Sequence, residues 1–214
     1  MATELLFVRH GHSVANREGF YAGKTDVALT EIGEEQAKRA AAYIKEHYAV
    51  DAVYASCLQR AWRTAEEIAS GFGLGVTRVE ALHEIAGGDW EAMHFEDIGK
   101  AYPDEFARWK TAIHTVRPPH GETLGEVQTR GLTAVGEIAE QNDGKTVVIV
   151  AHRVLLRALQ CAWEKRPIEE ANACAWLSNC SVSEVRYENG VLIPKRVGID
   201  DFMGELITRV TTSM

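Results

Sequence analysis

The chain has 214 residues, 46% apolar and 25% charged, which suits one large α/β domain or two small ones and argues against disordered or fibrous classes. Its formal charge of −8, with no basic cluster, argues against broad nucleic-acid or anionic-membrane binding, so an anionic ligand must be held locally. No apolar run approaches a transmembrane helix, and Met1-Ala2-Thr3-Glu4 lacks the basic start of a signal peptide, so the expectation is a cytoplasmic protein whose Cys57, Cys161, Cys174 and Cys180 are free thiols.

Leu5-Leu6-Phe7-Val8 predicts a buried strand that ends abruptly in Arg9-His10-Gly11. In open α/β sheets, ligands bind beyond the carboxyl ends of the strands. Arg9 offers a donor fork suited to phosphate or carboxylate, and a neutral His10 can act as nucleophile, base or metal ligand. Gly11 removes a side chain that would keep a ligand from the backbone. Thr30 next caps a helix whose Ile32, Gln36, Ala40, Tyr43, Ile44 and His47 share one face. Ala52-Val53-Tyr54-Ala55 reads as a second strand, followed by Ser56 as N-cap of a helix running to about residue 70. Gly71, Gly73 and Gly75 end that helix, and the β-branched Val76-Thr77-Arg78-Val79 reads as a third strand.

From about residue 87 to 122 the pattern loosens into aromatic and charged residues, read as a lid within a single 1–214 domain because it holds too few apolar residues for a core of its own. Its Trp90, His94, Tyr102 and Trp109 are read as packing this cap onto the core, with substrate contact as the alternative. A helix face follows in Leu124, Val127, Gly131, Leu132, Val135, Ile138 and Ala139, terminated by Asn142-Asp143-Gly144. Thr146 to Ala151 is apolar almost throughout, as a central parallel strand should be, and leads directly into His152-Arg153 and a helix over 154–163. Residues 181–187 and 191–196, joined by Asn189-Gly190, predict a closing hairpin. This alternation predicts a three-layer α/β/α sandwich with a mostly parallel sheet.

Two strands that each lead into a helix thus end in histidine, and a parallel sheet delivers both to one edge. Arg60, one turn into the helix after the second strand, and Glu84, just after the third, point to the same edge. Arg9, Arg60, His10 and His152 together describe a dianion pocket, since each guanidinium can give paired hydrogen bonds to phosphate oxygens. The two arginines disfavour a charged His10 and leave it nucleophilic, while Glu84 faces the incoming dianion as the candidate to protonate a leaving oxygen.

These residues, with Asn16, Gly23-Lys24-Thr25-Asp26, Leu29-Thr30-Glu31-Ile32-Gly33, Asp51 to Ser56, Arg60-Ala61, Thr64-Ala65, Glu84-Ile85, Gly88-Asp89-Trp90-Glu91 and Gly121-Glu122-Thr123, form an ordered set. The set resembles the histidine phosphatase superfamily, also called phosphoglycerate mutase-like, over nearly the whole chain. The resemblance implies a phosphomonoester hydrolase for small phosphorylated metabolites, needing neither metal nor cofactor. In it His10 takes the phosphoryl group, Arg9, Arg60 and His152 stabilise its oxygens, and Glu84 is acid and then base. Asn16, Gly11, Gly23 and Thr123 would contact or close over the phosphate, Thr123 also serving as a helix N-cap.

Two departures bear on this expectation. The family usually has Gly where this chain has Arg153, whose side chain either narrows the pocket, meets an acidic substrate, or faces solvent in a helix's first turn. Phosphoglycerate mutases carry a basic segment after the Glu; here Gly87-Gly88-Asp89-Trp90-Glu91 stands instead, which resembles the phosphatase branch. The rival readings are a phosphoglycerate mutase and a non-catalytic phosphate-binding module. His83 is read as a surface residue, and His12 as either lining the pocket entrance or solvated. The identity of the phosphomonoester and the oligomeric state are open at this point.

Overall fold

A computed structural model describes residues 2–208. Strand β1 (Thr3–Arg9) is followed by α1 (Val14–Glu18), α2 (Glu31–His47), β2 (Ala52–Ala55), α3 (Gln59–Ser70) and β3 (Val76–Arg78). The excursion after β3 carries α4 (Phe95–Ala101) and α5 (Pro103–Thr111). The chain then returns through α6 (Leu124–Gln141), β4 (Thr146–Ala151), α7 (Arg153–Trp163) and the hairpin β5 (Val182–Glu188) and β6 (Val191–Ile199).

The strands form a six-stranded sheet in the order β3-β2-β4-β1-β5-β6. The first four are mutually parallel, and β5 and β6 add antiparallel at one side. Strand alternation sorts the core into two layers. Leu6 and Val8 of β1 and Val148 and Val150 of β4 pack with Ile44 of α2 and Ala61, Ala65 and Ile68 of α3. Leu5, Phe7, Val147 and Ile149 face the other way, onto Val127 and Val135 of α6 and Leu155 and Leu159 of α7. Both central strands are therefore covered on both faces, which is why their sequences read as continuous apolar runs.

Several local expectations shift. Helix α2 buries Gly33, Gln36, Ala37, Ala40, Ala41 and Ile44, whereas Ile32 is 47% exposed and His47 lies in solvent. The small residues let α2 approach closely, and the predicted stripe is rotated by one position. Helix α3 begins at Gln59, three residues past Ser56; the Ser56 hydroxyl accepts from Leu58 N, and the Asp26 carboxylate caps the helix by accepting from Gln59 N at 2.8 Å. Strand β6 continues to Ile199. Asn189 and Gly190 both take positive φ, 52° and 78°, the conformation that a two-residue hairpin turn of this twist requires.

Trp90 is fully buried, with its ring 5.4–6.0 Å from those of Trp109, Tyr21 and Tyr102. It joins Ile98, Phe106 and Ile113 in the same apolar cluster as Phe7 and Leu155, so the 87–122 segment packs on the main core. All four cysteines are free, with Cys161 and Cys174 sulfurs 3.6 Å apart. No helix among the described residues is long and apolar enough to cross a membrane.

Candidate active site

Strand β1 ends at Arg9 opposite Ala151 of β4, so His10 and His152 leave adjacent parallel strands at the same level. Their rings lie 5.1 Å apart. His10 is 5% exposed, and its Nδ1 lies 2.7 Å from the Gly11 carbonyl. A carbonyl can only accept, so Nδ1 carries the proton and Nε2 keeps its lone pair. Asn179 Nδ2 donates to the His10 carbonyl at 2.8 Å and ties this turn to the segment before β5. Burial first, then Arg60 and Arg9, hold the His10 pKa well below the usual imidazole range. The expectation from sequence named only the arginines; burial is the larger cause. His152 is depressed in the same way, has no exposed surface, and neither of its ring nitrogens finds a partner.

Arg9 donates from Nη1 to Leu177 O at 2.8 Å, while its Nε is buried and unpartnered. Arg60, 2% exposed, is more committed: Nη1 donates to Thr25 O, and Nη2 to Ala22 O and Gly23 O, each at 2.9 Å. That loop is fastened from behind by Glu91, whose carboxylate accepts from the backbone of Gly23, Lys24, Thr25 and Gly87 and from the Thr25 hydroxyl. The guanidinium of Arg60 is thus held between the cavity and a loop that Glu91 organises.

Glu84 caps α7. Its Oε1 accepts from Ile85, Val154 and Leu155 N–H groups, and its Oε2 accepts from Val154 alone, which leaves Oε2 an unused acceptor position. Arg130 of α6 locks the chain around it, donating to the carbonyls of Ala81, His83 and Glu84 while pairing with Glu122 at 2.9 Å.

Arg9, His10, His12, Asn16, Arg60, Glu84 and Arg153 come together on the wall of one cavity of about 730 Å³. Asn16 Oδ1 accepts from Ser13 N and Oγ in a capping box, which leaves its amide N–H groups for a ligand. His152 is fully buried with its ring beside that of His10. Three residues are placed otherwise than expected. Gly11 is not there for a ligand: a Cβ at this position would stand 2.5 Å from Gly33 O, so the glycine lets the loop after β1 press against α2. Gly23 lies off the wall and acts through its carbonyl to Arg60. Thr123 also lies off the wall; its hydroxyl and Glu126 form the capping box of α6. In addition, His83 is buried, not at the surface, with Nδ1 donating to Glu84 O. Of the lid aromatics weighed above, only Trp109 reaches the cavity, beside Phe20, Tyr21 and Phe95. Arg153 faces the cavity with its guanidinium stacked on Trp176.

Sequence reasoning passed over Arg130, Arg157, Trp176 and Asn179, and placed Glu91 in a motif without giving it a role. Glu91 and Arg130 act on backbone carbonyls and amides far away in sequence, which no local pattern displays. Arg157 did carry a signal, four residues after Arg153 on one helix face.

The family model described as the histidine phosphatase superfamily (branch 1) matches residues 5–200. Phosphoserine phosphatase 1 of Hydrogenobacter thermophilus is 36% identical over 159 residues, covering 74% of this chain and 75% of that protein. A 2,3-bisphosphoglycerate-dependent phosphoglycerate mutase of Cytophaga hutchinsonii is 34% identical over 166 residues, covering 75% and 77%. The solved structure of Bacillus stearothermophilus YhfR superposes with a TM-score of 0.90 at 31% identity, over 94% of this chain and 99% of that one. With paired strand-end histidines, two buried arginines and a helix-capping glutamate at one sheet edge, and with these matches along almost its full length, the chain belongs to branch 1 of the histidine phosphatase superfamily.

Proposed function

We propose that the protein hydrolyses a small cytoplasmic phosphomonoester through a phosphohistidine on His10, without a metal. The observation that carries this is His10 itself: a buried imidazole with Nδ1 engaged by Gly11 O, so that Nε2 is an unprotonated nucleophile at neutral pH. In the first step Nε2 attacks phosphorus, the ester P–O bond breaks, and Glu84 relays to the leaving oxygen a proton that enters on the substrate's phosphate monoanion. In the second, water attacks the phosphohistidine, the P–N bond breaks, Glu84 takes the water's proton, and phosphate carries that proton away as it leaves. Arg9, the free part of the Arg60 fork and the Asn16 amide supply fixed donors for the phosphoryl oxygens, the service a metal ion gives in other phosphoryl-transfer sites. His152, with both nitrogens unpartnered beside His10, donates to an oxygen of the group once it is on His10. The 87–122 segment acts as a lid, which its contribution of Trp109, Lys110 and Ile113 to the wall supports.

Phosphate release from p-nitrophenyl phosphate in EDTA, by the parent and by His10→Ala, tests the reading. Chelation-resistant activity that vanishes in the variant supports it; an active variant contradicts the nucleophile assignment. The mutase relative favours a second reading, isomerisation of 2- and 3-phosphoglycerate, and that reading would take over if the isomers interconvert without net phosphate release.

A further inference from the structure

The cavity is more cationic than capture of one phosphate requires. Arg9, Arg17, Arg60, Lys110, Arg153 and Arg157 line it against the single carboxylate of Glu84, in a chain of net charge −8. Three of these guanidiniums gather on one ring. The Trp176 centroid lies 3.9 Å from Arg153 Cζ, 5.4 Å from Arg9 Cζ and 6.0 Å from Arg157 Cζ. Arg153 and Arg157 stand one turn apart on α7, in the layer opposite Arg60, and Arg9 lies between the two groups.

Among the described residues the one carboxylate that acts on this second group is Glu84, and it is shared with Arg9 and Arg60. Arg153 Nε is buried without a hydrogen-bond partner, and among the described residues neither Arg153 nor Arg157 pairs with a carboxylate. Burial foremost, with Arg9 and Arg157, lowers the Arg153 pKa, and burial lowers that of Arg157. Like charges held out of water and outnumbering their counter-ion are costly until an anion joins them. With its Cζ over the Trp176 ring, the Arg153 guanidinium keeps donors for a forked acceptor.

We infer that Arg153, Arg157 and Trp176 form a second anion subsite, so that the substrate is a phosphomonoester whose alcohol carries another acidic group. The inference takes from the proposed function only that the phosphoryl group docks at Arg9 and Arg60. A carboxylate and a second phosphate share the required chemistry, and the test separates them.

The test is calorimetric binding to His10→Ala, which cannot turn over, of 3-phosphoglycerate, propane-1,3-diol bisphosphate and glycerol 3-phosphate. The last matches the first but has a hydroxymethyl group in place of the carboxylate. One or both doubly acidic probes should bind at least about tenfold tighter than glycerol 3-phosphate, the size of one charge-assisted bidentate contact. The tighter of the two identifies the second acid. Adding Arg153→Gln or Arg157→Gln should shrink that ratio toward one, and Arg153→Lys should keep part of it. A general folding defect would weaken all probes together and leave the ratio. Equal binding of all three probes, or a ratio untouched by Arg153→Gln, overturns the subsite. If glycerol 3-phosphate fails to bind while Arg153-dependent binding of an acidic probe persists, the subsite stands and the phosphatase reading falls.

Discussion

At the scale of single residues, burial of imidazoles couples chemistry to stability. His10, His12, His83 and His152 all have pKa values below the usual one, in each case with burial as the first cause. In the unfolded chain they titrate near the ordinary value of about 6.5. Below that pH the unfolded chain takes up protons that the folded protein refuses, so stability is present in full above 6.5 and falls as the solution is acidified through it. Urea midpoints measured from pH 8 to pH 5.5 should fall, and His152→Gln should flatten the slope; a pH-independent midpoint contradicts the account. The same depression keeps Nε2 of His10 unprotonated, so the rate should not fall through protonation of His10 near pH 6.5. His152→Ala should lower kcat by about a hundredfold, the usual loss for one oxyanion donor, with a smaller change in KM. An unaltered kcat would make His152 a packing residue.

At the scale of elements, loops hold the charged groups in place. Glu91 fastens residues 23–25, and the carbonyls of Ala22, Gly23 and Thr25 orient Arg60. Glu91→Gln removes the negative charge behind this loop and turns one of its two acceptor oxygens into a donor without removing its bulk, and kcat/KM should fall about tenfold while Arg60 keeps its charge. Retained kcat/KM would mean that Arg60 is fixed by other contacts. The loop after β1 depends on a close approach of two backbones: a Cβ on Gly11 meets Gly33 O at 2.5 Å, and one on Gly33 meets His12 O at 2.1 Å. Gly11→Ala should therefore cost about 1–3 kcal/mol in urea unfolding, as overpacking does.

At the scale of the whole molecule, one edge of a parallel sheet collects the site from four segments. Arg9, His10 and His152 were legible as candidates because they end apolar runs that could only be strands, Arg60 because it opens the helix after β2, and Glu84 because it follows the short third strand within a matching motif. The long helices and the strands followed from the same alternation, although the buried face of α2 is shifted by a position because its alanines bury as readily as its larger residues, and the short α1, α4 and α5 carry no comparable pattern. What escaped was non-local. The segment from Asn172 to Asn179 has no hydrophobic period, yet it brings Trp176 and Asn179 to the cavity. Arg153, read equally well as a solvent-facing residue, is drawn inward by the Trp176 ring. His83 looked polar and isolated, but its ring bonds to Glu84 O within a network centred on Arg130. Gly11 and Thr123 carried the right motif context for reasons of packing and capping.

The central claim is that His10 is phosphorylated and the phosphohistidine is then hydrolysed. Mixing the protein with p-nitrophenyl phosphate in EDTA, stopping the reaction with alkali, under which phosphohistidine survives, and mapping the adduct by mass spectrometry would test it most directly. One phosphoryl group on the peptide that contains His10, transient in the parent and absent from His10→Ala, is the predicted result. Phosphate release with no adduct at His10, or an adduct on another residue, would contradict it.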